Sequence, residues 1–120
     1  MTDMATPLRI GTQLKGEGLA VLSLSGEVDV SNTPQVRDAA LGLLSGGATK
    51  LVVDLSETTY MDSAGLGTLV GLLKRLKEAN GAMAIAGAVP RVQRLFEITN
   101  LNRIFSLYPD VAAAAKEVGS

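Results

Sequence analysis

The chain of 120 residues contains no cysteine and no histidine. Without cysteine there is neither a disulfide framework nor a thiol nucleophile, a composition that fits the cytoplasm. Without histidine, a Ser-His-Asp triad, an imidazole base and the commonest metal ligand are excluded. Tryptophan is absent and aromatic residues make up only 3%, which leaves no platform for stacking bases. Eleven Lys and Arg against twelve Asp and Glu give a net charge of −1, so no basic field draws the chain to nucleic acid. No apolar run approaches the length of a bilayer span, and Met1-Thr2-Asp3-Met4-Ala5-Thr6-Pro7 lacks a basic stretch followed by an apolar one. A cytoplasmic protein is expected, with no nucleic-acid partner and no membrane partner.

What is present is a hydrophobic content of 47% in 120 residues, enough for one ordinary domain spanning 1–120 with its core at about 8–118. Strands are expected at 8–14 and 19–25, joined as a hairpin by Lys15-Gly16-Glu17-Gly18, and again at 50–55, 83–87 and 104–107. Helix starts are marked by Asn32-Thr33-Pro34, with Pro34 at the first helical position, by Asp62-Ser63, by Pro90 and by Pro109-Asp110. Asn80-Gly81 reads as a helix stop. Strand-helix alternation after an opening hairpin predicts an α/β fold: a mixed, mostly parallel sheet of four to five strands with about four helices.

The segment Met61-Asp62-Ser63-Ala64-Gly65-Leu66-Gly67 stands where a buried strand region hands over to an amphipathic helix whose Leu66, Leu69, Val70 and Leu73 supply the core stripe. Asp62 is the natural N-cap, which makes Ser63 the first helical residue with its hydroxyl at the rim. The first N–H groups of a helix lack internal partners and carry partial positive charge, a setting that tolerates phosphate. Gly65 and Gly67 are poor helix formers, and access to the backbone is the reason expected for them.

Several chemistries fail on the residues. Leu66 stands where a serine hydrolase of the Ser-x-x-Lys kind needs lysine, and no Gly-x-Ser-x-Gly occurs. Asp29, Asp54 and Asp62 could in principle serve acid-base work or Mg²⁺, but turn, strand-end and cap roles account for them more simply. Val70 occupies the place of the third glycine of a dinucleotide fingerprint. A phospho-acceptor receiver domain shares the outline and would use Asp54, yet the acidic pair after the first strand and the late lysine are missing. The expectation is a protein that is no enzyme and binds no cofactor and no metal. Lys74, Arg75, Lys77, Arg91 and Arg94 read as solvated helix faces.

Leu24-Ser25-Gly26-Glu27-Val28-Asp29, Val52-Val53-Asp54-Leu55-Ser56, the Ser63 segment, Ile85-Ala86-Gly87 and the stretch 92–101 occur in an order and spacing that resemble the STAS family of bacterial anti-anti-sigma factors. The resemblance implies a STAS domain that regulates transcription by partner switching. Its serine, here Ser63, is phosphorylated by an anti-sigma factor that is itself a serine kinase, and a PP2C-type phosphatase resets it. The unphosphorylated form binds the kinase and frees the sigma factor. Many members carry Ser or Thr after the acceptor, where this chain has Ala64; Thr68 is the other hydroxyl of this helix. The expected partner surface comprises Asp29, Asp62, Ser63, Ala64, Gly65, Leu66 and Gly67, with the loop 26–31 beside them. Nothing in the sequence demands more than a monomer. The competing reading is a STAS interaction module whose Ser63 is never modified.

Overall fold

A computed structural model describes residues 7–119; the leader features sought in residues 1–6 fall outside that span. Alternation organises the molecule. In β2 (Leu19–Val28) and β3 (Lys50–Asp54) successive side chains leave opposite faces of the sheet. Ala20, Leu22, Leu24, Leu51 and Val53 are buried on one face, and Val21 and Val52 on the other. Strands apolar on both sides need a cover on each. The first face carries α1 (Thr33–Ser45), α2 (Ser63–Glu78) and α3 (Pro90–Ile98), which add Val36, Leu43, Leu69, Leu76, Val92 and Phe96 to one core. The second is covered by α4 (Val111–Gly119), through Ala114 with Val111, Ala115 and Val118 around it. Each large side chain fully buried this way contributes about 1.5–3 kcal/mol, so the three-helix face dominates the core.

The sheet runs β1 (Arg9–Gly16), β2, β3, β5 (Ala82–Ala86) and β6 (Leu107–Tyr108). β1 is antiparallel to β2 and the other neighbours are parallel, so the α/β class and the mostly parallel sheet are as expected. The strand count is not: among the described residues the sheet has six strands rather than four to five. The additional one, β4 (Thr58–Met61), pairs in parallel with the far end of β2, from Gly26 opposite Thr58 to Val28 opposite Met61. β2 therefore runs on through residues expected to form a loop, with β3 beside 19–23 and β4 beside 26–28. The register shifts after Gly26, whose φ of 107° suits glycine. Thr58 locks the joint: fully buried, it donates its Oγ1 hydrogen to the Leu24 carbonyl at 2.6 Å.

Smaller departures have local causes. Pro34 is the second helical residue rather than the first, still within the turn that needs no donor. At the end of α2 it is Asn80 (φ 59°) that turns left-handed; its N–H donates to the Lys77 carbonyl at 3.0 Å and that of Gly81 to Leu76 at 2.7 Å. Gly81 is glycine for a different reason, since a Cβ there would strike the Thr49 carbonyl. The last strand shrinks to two residues because the chain before it forms a 3-10 turn at Leu101–Arg103 and turns Phe105 inward. Its ring meets Phe96 edge-on at 5.5 Å between centroids.

Candidate functional site

Ser63 is exposed at the first position of α2. Asp62 before it has extended backbone (φ −102°, ψ −175°), and its Oδ1 accepts a hydrogen bond from the Gly65 N–H at 3.0 Å. This is the expected cap, satisfying one of the helix's orphan donors. The second carboxylate oxygen accepts from the Val30 N–H at 3.2 Å, and the Asp62 N–H donates to the Val28 carbonyl at 3.2 Å. One side chain thus joins the helix start to the turn leaving β2.

That turn is held by its own polar residues. Asp29 Oδ1 accepts from the Ser31 N–H at 2.9 Å and from the Ser31 hydroxyl at 2.5 Å. Asn32 Oδ1 accepts from the Asp29 N–H at 3.0 Å while its Nδ2 donates to the Glu27 carbonyl at 2.9 Å. With Val30 fixed to Asp62, the parallel ends of β2 and β4 bring Asp29, Asp62 and Ser63 to one corner of the sheet.

The remaining expected surface residues divide. Ala64 is half-buried and Gly67 exposed, with nothing within 4 Å of a Cβ built there. Gly65 and Leu66 are buried, which corrects the expectation that they would lie on an exposed partner surface. A Cβ on Gly65 would come within 2.6 Å of Met61 Cγ and 3.1 Å of Val28 Cγ1. Close seating of α2 on β2 and β4, not access from solvent, is why that position is glycine. The Thr68 hydroxyl donates to the Ala64 carbonyl at 2.9 Å. Asp54 ends β3 with Oδ1 accepting from the Ser56 N–H at 3.0 Å, a turn role.

Two features escaped the sequence reading. A groove of about 560 Å³ runs from Ser63 to α3, lined by Tyr60, Arg91, Arg94, Leu95 and Ile98. Residues 91, 94, 95 and 98 follow helical spacing beside the buried pair Val92 and Phe96, so periodicity could have exposed this second stripe. The corner also displays apolar surface: Val30 and Ile98 are each 72% exposed and Tyr60 43%. On the other flank of α2, a groove of about 530 Å³ lies against α1, lined by Ala64, Gly67, Thr68, Lys74 and Arg75 of α2 and by Arg37 of α1. Among the described residues no group of three His, Cys, Asp or Glu is placed to hold a metal ion, and no helix is long and apolar enough to cross a membrane.

An acidic turn, a lone exposed hydroxyl on a capped helix and a forked parallel sheet make up the corner. The STAS domain family model matches residues 13–114. The anti-sigma-B factor antagonist of Staphylococcus aureus is 38% identical over 80 residues, 67% of this chain and 74% of that protein. An anti-sigma factor antagonist from Mycobacterium paratuberculosis superposes with a TM-score of 0.86 at 25% identity, over 98% of this chain and all of that one. The Bacillus cell fate determinant SpoIIAA, solved in a phosphorylated form, shares the fold at a TM-score of 0.73 and 20% identity, over 92% of this chain and 99% of that one. The matched span begins midway through β1 and ends in α4, taking in the other five strands and the Ser63 corner, and on that ground the chain belongs to the STAS domain family.

Proposed function

We propose that this chain acts as an anti-anti-sigma factor: one STAS domain, itself no catalyst, that binds an anti-sigma factor serine kinase when Ser63 is free and releases it when Ser63 is phosphorylated. The observation that carries the reading is the setting of Ser63, an exposed hydroxyl directly after a carboxylate already committed to two backbone N–H groups. It is supported by the antagonist relatives and by a structural neighbour solved in a phosphorylated form.

In the transfer, the Oγ–P bond forms at Ser63 as the bond from the γ-phosphoryl group of ATP to ADP breaks. The hydroxyl proton needs an acceptor. This chain has no histidine, and the Asp62 carboxylate serves as the helix cap and the tie to Val30, so the reading assigns the base to the kinase. The modified serine gains about −1.5 to −2 charge at neutral pH. Against a partner packed over Asp29, Ser63, Ala64 and Gly67, like-charge juxtaposition costs several kcal/mol. A penalty of about 3 kcal/mol weakens binding more than a hundredfold. A PP2C-type phosphatase restores the binding form.

The test compares two variants by calorimetric titration with the cognate anti-sigma kinase. Ser63→Ala keeps the affinity of the unmodified protein, whereas Ser63→Asp loses it at unchanged thermal stability. Equal affinities would refute the charge mechanism. Incubation with ATP and that kinase adds one phosphate to the intact mass of the native chain and none to Ser63→Ala; a native chain left unmodified would mark an interaction module that is not switched.

A further inference from the structure

Resting on the reading of Ser63 as a phospho-acceptor, we infer that Arg91 and Arg94 of α3 form an intramolecular receptor for the Ser63 phosphate. Ser63, Arg91 and Arg94 line one groove although they come from different helices. The two arginines are three positions apart, so both side chains leave the same face of α3. Neither has an ion-pair or hydrogen-bonded partner among the described residues. Of the groove's other walls, Tyr60, Met61, Leu95 and Ile98 carry no charge, and the one carboxylate among them, Asp62, is held by the Gly65 and Val30 N–H groups.

Two further observations favour an anion at this place. Arg91 is the second residue of α3, a helix whose first turn holds no acidic residue and whose N-cap, Val89, offers no side-chain acceptor. Cations at the positive end of a helix are misplaced unless an anion lies nearby. The α2 side, meanwhile, cannot neutralise a phosphate on its own. Asp62 stands next to Ser63 with its negative charge, and its carboxylate already holds the Gly65 N–H. Arg91 and Arg94 supply countercharge from across the groove, and guanidinium groups bind phosphate oxygens in pairs.

The phosphorylated side chain consequently lies over the groove toward α3, on top of Tyr60, Leu95 and Ile98. Modification then does more than repel a partner: it covers apolar surface that the free serine leaves open.

The experiment uses the full chain with phosphoserine incorporated at position 63 during translation, so that no kinase takes part. Phosphorus NMR follows the second ionisation of the phosphate, which for free phosphoserine falls near about 6. In the native background it titrates below that value. In Arg91→Gln/Arg94→Gln it rises by about half a unit or more, roughly threefold in proton affinity. Lys74→Gln/Arg75→Gln removes the same charge from the other flank of α2 and moves it less. Equal shifts in the two double variants, or none in the first, would overturn the inference. Should the first double variant melt early, the single variants Arg91→Gln and Arg94→Gln, each at an exposed position, divide the same shift between them. The two readings fail separately. A held phosphate on a serine that the cognate kinase never modifies sinks the functional reading alone, and a modified serine whose titration ignores Arg91 and Arg94 sinks the receptor alone.

Discussion

The carboxylate of Asp62 accepts the Val30 N–H at 3.2 Å across 32 residues of sequence, while its other oxygen caps α2 at Gly65. Asp62→Ala removes the cap, worth about 0.5–2 kcal/mol, together with the tie to the turn. Thermal unfolding shifts down by several degrees, and amide exchange at Val30 accelerates. Asp62→Asn keeps an acceptor oxygen for the cap and recovers most of the stability. An unchanged Val30 exchange rate in Asp62→Ala would show that the turn stands without the tie.

Gly65 and Gly67 separate by a simple pair of substitutions. Gly65→Ala gains helix propensity of about 1 kcal/mol, but its methyl meets Met61 and Val28 in a packed core, where overpacking costs about 1–3 kcal/mol. The net change in urea unfolding is destabilising. Gly67→Ala meets nothing and stabilises by up to about 1 kcal/mol. The opposite ranking would mean that α2 sits further from β4 than described.

Thr58→Val tests the joint between β2 and β4. The substitution keeps the shape and deletes the hydroxyl that donates to the Leu24 carbonyl at 2.6 Å. Leaving a buried carbonyl without its donor costs about 1–3 kcal/mol. Thr58→Ser restores the donor and regains part of the loss, a recovery that separates the hydrogen bond from the methyl group's packing.

Val30 is 72% exposed and its side chain is free of the tie made by its backbone. Val30→Ser leaves the melting temperature within about a degree, because surface changes usually stay within about 0.5 kcal/mol. Affinity for the anti-sigma partner falls tenfold or more if that side chain is buried on binding, since full burial of a valine is worth about 1.5–3 kcal/mol. Equal affinity would place Val30 outside the interface.

Features set by neighbours in sequence were legible from the letters alone. The Asp62 cap, the leucine stripe of α2 and the Pro90 start of α3 depend on spacings of a few residues. What stayed hidden depends on distant partners. Gly26, Glu27 and Asp29 have the composition of a turn, and only the arrival of residues 58–61 makes 26–28 a strand. Gly65 looked open because its crowding comes from Met61 and Val28, which share no helical face with it. Arg91 and Arg94 are exposed, as expected, but the groove beside them was hidden because it exists only once α3 lies against β4 and the start of α2.

Because β2 divides its length between two neighbours, the Ser63 corner is assembled from pieces far apart along the chain, with Leu24 and Thr58 34 residues apart and Val30 and Asp62 32 apart. A short peptide copied from 58–67 carries the same letters without Leu24 or Val30 to shape them. Under the proposed switch, a kinase that reads this folded corner is expected to modify finished molecules and pass over nascent or unfolded ones, so that the signal would report only on protein that has completed folding.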